Sequence, residues 1–148
     1  MGQTMSWVRV WVHLVFTTKN RERLLIDRES RDKLFKHMKE NAKKNKIFLD
    51  TVNGSDDHVH CLISLSKDLS ISKMVQLIKG ESSHWFNANI GNDNKLSWQD
   101  DYWSVSVSES HIAKVREYIK KQEEHHRRKT FSEEVEEFME KYSWEQSK

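Results

Sequence analysis

The succession of apolar patterns along this 148-residue chain predicts an α+β fold, a ferredoxin-like or RRM-like βαββαβ antiparallel sheet with extra C-terminal helices. Three observations predict it. Residues 6–17 and 57–65 alternate apolar and polar positions, as half-buried strands do. Two stretches, after Asp27 and after Ser70, carry apolar residues at helical spacing. A further alternating run ending in S-V-S-V-S precedes the helical tail.

In the first strand Val8, Val10, Val12, Leu14 and Phe16 share one face, and Trp7, Arg9, Trp11 and His13 share the other. Asp27 can cap a helix running to about Asn45, with Leu34, Phe35 and Met38 on its apolar side. Residues 46–53 read as a second strand, and the turn Asn53-Gly54-Ser55-Asp56 leads into a third at about 57–65. Ser70 or Ser72 caps a second helix to about Asn89, with Ile71, Met74, Val75, Ile78 and Phe86 as its stripe. Gly91-Asn92-Asp93-Asn94 is a loop, residues 96–107 are extended, and a third helix covers roughly 109–127. A short acidic helix over about 131–142 closes the chain, with Val135, Phe138 and Met139 as docking residues. With no proline, no linker and no repeat, residues 1–148 are expected to form one domain, its core at about 6–127.

Composition narrows the classes. Hydrophobic residues make up 36% and charged residues 32%, and no apolar run approaches the roughly 20 residues a membrane span needs. The start of the chain lacks a basic segment followed by an apolar stretch and a cleavage site, which argues against secretion. The single cysteine, Cys61, excludes an internal disulfide and fits a reducing cytoplasm. A net charge of +2 does not by itself announce nucleic-acid binding. Its distribution is more suggestive: Lys43, Lys44 and Lys46 cluster, as do His125, His126, Arg127, Arg128 and Lys129, while glutamates collect beyond residue 132. Taken singly, such clusters are as readily solvated faces.

His58-Val59-His60 lies in the third strand. Strand residues i and i+2 project together, so the two imidazoles share a face. Val59, Cys61, Ile63 and Leu65 would face the helices, leaving the histidines on the open face. Tyr118 and Gln122 are four residues apart in the third helix and share a face. Ile112, Val115 and Ile119 form the stripe that anchors that helix. Two imidazoles and an amide oxygen can hold a divalent metal, and a phenol beside them can attack a phosphate. Each feature alone has a plainer reading: a hydrogen-bonded histidine pair, or a rim tyrosine with its hydroxyl in water.

Three segments carry a family likeness: D-D-H-V-H-C-L-I at the histidine pair, Q-L-I-K-G-E-S-S from Gln76 to Ser83, and Y-I-K-K-Q-E-E-H-H from Tyr118 to His126. With Trp98 and Tyr102 ahead of S-V-S-V-S, they resemble the single-tyrosine HUH transposases. These are the TnpA-like enzymes of the IS-two-hundred class of insertion sequences, with relatives associated with repeated palindromes. The likeness runs from about Trp7 to Phe138. Two positions depart from the pattern: Asp101, where a glycine is expected, and His84, where arginine or lysine is usual.

The resemblance implies that His58, His60 and Gln122 bind one divalent ion, Mg2+ or Mn2+, and that Tyr118 is the catalytic nucleophile. It implies cleavage and rejoining of single-stranded DNA at ends marked by an imperfect hairpin, through a 5′-phosphotyrosine. It also implies a homodimer in which the tyrosine helix of one copy docks in trans on the other. Lys43, Lys79, Ser82 and Ser83 are candidate DNA contacts. Other readings are a domesticated enzyme acting on chromosomal palindromes, a rolling-circle initiator or relaxase, which should be larger, and a zinc hydrolase using His58, His60 and His125. A non-catalytic RRM-like binding module should show an R-G-F-G-F-V-type segment, and none is evident.

Overall fold

A computed structural model of the chain describes residues 6–91 and 95–122, together with Glu133, Glu136 and Glu137. Four strands form one antiparallel sheet: β1 (Val10–Thr18), β2 (Phe48–Gly54), β3 (His58–Leu65) and β4 (Trp98–Val107). Their spatial order is β2-β3-β1-β4, so β3 separates β1 from β2 as the split βαβ topology requires. Helices α1 (Arg28–Lys44), α2 (Ile71–Asn89) and α3 (Ile112–Lys120) complete the fold.

β1 begins at Val10, later than the alternation predicts. Its first pairs are Val10 with Leu65 and Trp11 with Val107. Both neighbouring strands end there, so residues 6–9 have no ladder to join, and Trp7 and Val8 are exposed. The helix starts fall where the capping residues place them. Asp27 Oδ2 accepts from the Ser30 amide at 3.3 Å, and Ser70 Oγ accepts from the Lys73 amide at 3.1 Å. α1 stops in a reversal at Lys46, which adopts φ 59° while its amide donates to Lys43 O. Ile47 N then bonds Ala42 O at 2.9 Å, so the orphan carbonyls are satisfied with a lysine in the usual glycine position.

The main core lies between one face of the sheet and helices α1 and α2. Val12, Leu14, Phe16, Val59, Cys61 and Ile63 supply the sheet side, and Leu34, Phe35, Met38, Met74, Val75 and Phe86 the helix side. Cys61 is fully buried there, and burial pushes its thiol far up from the ordinary value, as befits a packing residue.

The opposite face is not open. α3 lies across it, packing Ile112, Val115 and Ile119 onto Leu62 and Val107. The expectation of an open face is therefore corrected. Period-two alternation assigns a residue to a side of the sheet but says nothing of what covers that side. The expected helix over 109–127 also divides. A 3-10 turn at Glu109–His111 precedes α3, and Lys121, at φ −96° and ψ 19°, ends it before Gln122. Of the predicted acidic helix from Phe131 only Glu133, Glu136 and Glu137 are described, and all three are helical; the 125–129 basic cluster, including His125, and Tyr142 lie outside the described residues.

Candidate active site

The turn between β2 and β3 delivers the first histidine. Gly54 approaches the His58 carbonyl so closely that a Cβ would come within 2.1 Å of that oxygen. Ser55 N bonds His58 O at 3.0 Å, closing the turn. Thr18 N bonds Asp57 O, and Leu25 N bonds Asp56 O, which pins the turn to the end of β1. His58 and His60 then project from β3 toward α3, as their spacing predicts, but under cover: they are 0% and 2% exposed.

Each histidine has its Nδ1 engaged. His58 Nδ1 donates to Asp57 Oδ1 at 2.7 Å, with Ser55 Oγ 2.9 Å from the same nitrogen. Ser55 Oγ also donates to Asp57 Oδ1 at 3.2 Å. Burial opposes ionisation of Asp57, but the hydrogen bonds from His58 and Ser55 and the Arg21 charge hold its carboxyl below its ordinary value. His60 Nδ1 lies 2.9 Å from Nε2 of His13, a buried residue of β1. Nε2 is thus the nitrogen each strand histidine could offer to a metal.

α3 brings the remaining groups. Tyr118 is half-buried, its ring edge-on to His60 with centroids 5.6 Å apart and to His13 at 6.1 Å. Gln122 is fully buried, with Oε1 3.2 Å from His58 Nε2. Two latches hold the helix on the sheet. Arg116 donates to both Asp50 oxygens, at 2.8 and 3.0 Å, across the β2 bulge between Leu49 and Thr51. Asn53 Nδ2 donates to the carbonyls of Ile119 and Lys120, at 3.1 and 3.0 Å. In the single chain the helix docks on its own sheet, so one chain holds all four residues.

Gln122 and His58 have the spacing of two ligands of one divalent metal. Ligands about 2.1 Å from one ion, at 90° to tetrahedral angles, lie about 3.0–3.4 Å from each other. The Gln122 Oε1 to His58 Nε2 separation of 3.2 Å falls in that range. The Gln122 amide nitrogen has no hydrogen-bond partner among the described residues, so the amide meets His58 oxygen first. Among the described residues no group of three or more His, Cys, Asp and Glu side chains could hold a metal, so the amide oxygen is the third donor in view.

The sequence matches the family described as "Transposase IS200 like" over residues 6–122. It is also 30% identical to the ISDra2 transposase TnpA of Deinococcus radiodurans over 115 residues, 74% of this chain and 81% of that protein. The chain belongs to the IS200-like transposases. Solved structures agree on the fold. A Deinococcus radiodurans R1 protein assigned as a transposase superposes with TM-score 0.62 at 26% identity, covering 82% of this chain and 98% of the other. A REP-associated tyrosine transposase bound to a REP hairpin gives TM-score 0.59 at 18% identity, covering 85% of this chain and 74% of that one. Among the described residues, no helix of this transposase is long and apolar enough to cross a membrane.

The other expected contacts lie away from the histidines. Ser82 is buried; its hydroxyl accepts from the Trp98 indole at 3.1 Å and donates to Lys79 O at 3.1 Å. That removes it from any DNA surface, a correction that follows from its place on α2's inner stripe. Ser83 Oγ turns back to Lys79 O at 3.0 Å. Lys79 Nζ is bound to the Gln99 and Asp100 carbonyls of β4, and burial draws its ammonium below its usual value against the pull of Asp100 and Asp101. Lys43 is exposed in the last turn of α1. Tyr102 packs against the main core, across the sheet from the histidines. The sequence reading missed His13, Asp57, Asn53 and the Asp50–Arg116 pair. Only His13 carried a signal: a histidine on the same strand face as Trp11, in an otherwise apolar run.

Proposed function

We propose that this transposase cleaves and rejoins single-stranded DNA through a covalent bond to Tyr118. The observation that carries the proposal is the meeting of Tyr118 and Gln122 with His58 and His60 under α3, residues brought from two elements 64 positions apart. His58, His60 and Gln122 are the residues that would hold one Mg2+ or Mn2+. A divalent ion there would polarise a backbone phosphate and offset the charge developing on it.

Tyr118 Oη forms a bond to phosphorus as the phenol gives up its proton. The bond from phosphorus to the 3′-oxygen breaks, and that oxygen leaves with a proton as a free 3′-hydroxyl. The DNA 5′ end remains on the tyrosine as a phosphodiester, and attack by another 3′-hydroxyl reverses the step. Because the phosphodiester bond is conserved, rejoining needs no ATP. Asp57 holds the His58 ring in place, and Asn53 fixes the end of α3 between Tyr118 and Gln122. A hairpin-bearing element end is the expected DNA, in keeping with the REP hairpin bound by the REP-associated relative, and a homodimer exchanging α3 would make the same docking contacts from a second copy. The test is incubation with labelled single-stranded element ends and Mn2+. A denaturant-stable protein–DNA band that Tyr118→Phe abolishes supports the reading; cleavage retained by Tyr118→Phe overturns it.

A further inference from the structure

The geometry points to His13 as a positioning residue for the metal site, one that sets which nitrogen His60 presents. The inference rests on the metal reading proposed above. His13 stands on β1, diagonal to His60 across the β1–β3 ladder, where Val15 is the direct partner of His60. It is 1% exposed, and its Nε2 lies 2.9 Å from His60 Nδ1. The two rings are tilted by 40° with centroids 5.1 Å apart, so the contact is an edge-to-edge hydrogen bond and not a stack.

A neutral imidazole carries one proton on one of two nitrogens, and a neighbour decides which. When His13 Nε2 accepts, the His60 proton is held on Nδ1 and the His60 lone pair is held on Nε2. Asp57 does the same for His58 with a carboxylate. In this arrangement the strand pair has matched tautomers held by unlike partners: a carboxylate behind His58, an imidazole behind His60. His13 also contacts the Tyr118 ring, so the residue that orients His60 adjoins the proposed nucleophile.

The test is Mn2+ binding to the DNA-free protein, read from the free-ion signal in electron paramagnetic resonance, with folding checked by circular dichroism. His13→Phe keeps ring volume and removes the acceptor. It is expected to weaken Mn2+ binding about 10–100-fold, the usual loss for an outer partner of a metal-bound histidine. His13→Gln, whose amide oxygen can accept from Nδ1, is expected to recover most of the affinity. A folded His13→Phe protein that binds Mn2+ as wild type does overturns the role of His13 and leaves the metal reading standing. A wild-type protein that binds no Mn2+ overturns both. Should His13→Phe fail to fold, the wild-type protein decides: a through-bond 15N coupling between His13 Nε2 and His60 Nδ1 is expected, and its absence overturns the assignment.

Discussion

Replacing Asn53 by alanine tests how the fold holds the candidate site together. Asn53 sits on edge strand β2 directly opposite His60, and its amide nitrogen donates to the carbonyls of Ile119 and Lys120. Those carbonyls belong to the last turn of α3. Each bond contributes about 1 kcal/mol net, and water replaces part of the Lys120 contact, so Asn53→Ala should cost about 1–2 kcal/mol. That is less than the roughly 2–5 kcal/mol expected for truncating an anchor such as buried Ile119. The helix should stay docked while its end, between Tyr118 and Gln122, loosens. Urea unfolding should show the loss in midpoint at unchanged slope. If even 1.4 kcal/mol of that loss falls on the transition state, adduct formation slows about tenfold, with DNA binding nearly unchanged. Wild-type stability together with a wild-type adduct rate would refute the latch.

Two further outcomes follow from named contacts and a third from the family resemblance. Burial raises the Asp50 carboxyl, but the Arg116 and Thr51 hydrogen bonds and the Arg116 charge outweigh this and hold it below its ordinary value. Its contribution is therefore full above about pH 4 and lost as pH falls through the depressed value, so acid titration of stability should flatten in Arg116→Gln. Gly54→Ala, whose Cβ would meet the His58 carbonyl, should cost about 1–3 kcal/mol in thermal unfolding and weaken Mn2+ binding, whereas Gly80→Ala, with open space around it, should do neither. Mixing Tyr118→Phe with the His58→Ala, His60→Ala double variant should restore cleavage if α3 is exchanged between two copies, as the family resemblance implies. Continued silence from verified mixed dimers would make the docking on its own chain the working one.

Much of the fold was legible because its elements are locally determined. Asp27 and Ser70 cap their helices wherever the sheet lies, and the alternation in 57–65 puts His58 and His60 on one side in any topology. What escaped depends on contacts between distant segments. β1 shortens because its neighbours end, not because Trp7 and Val8 are poor strand residues. Ser82 looks like a surface hydroxyl until Trp98, sixteen residues on, folds back to donate to it. The histidines' cover, and the partners His13 and Asp57, become visible only with the β2-β3-β1-β4 order and α3 in place. Tyr118 and Gln122 share a site as their spacing suggests, although the turn at Lys121 interrupts the helix between them.

Mapping the covalent bond decides whether Tyr118 is the nucleophile. The protein is incubated with a single-stranded element end and Mn2+, digested, and the DNA-linked peptide is sequenced by mass spectrometry. A 5′-phosphodiester on Tyr118 is expected, with no adduct from Tyr118→Phe or from the His58→Ala, His60→Ala double variant. An adduct on Tyr102 or Tyr142, or one formed without the two histidines, would contradict it.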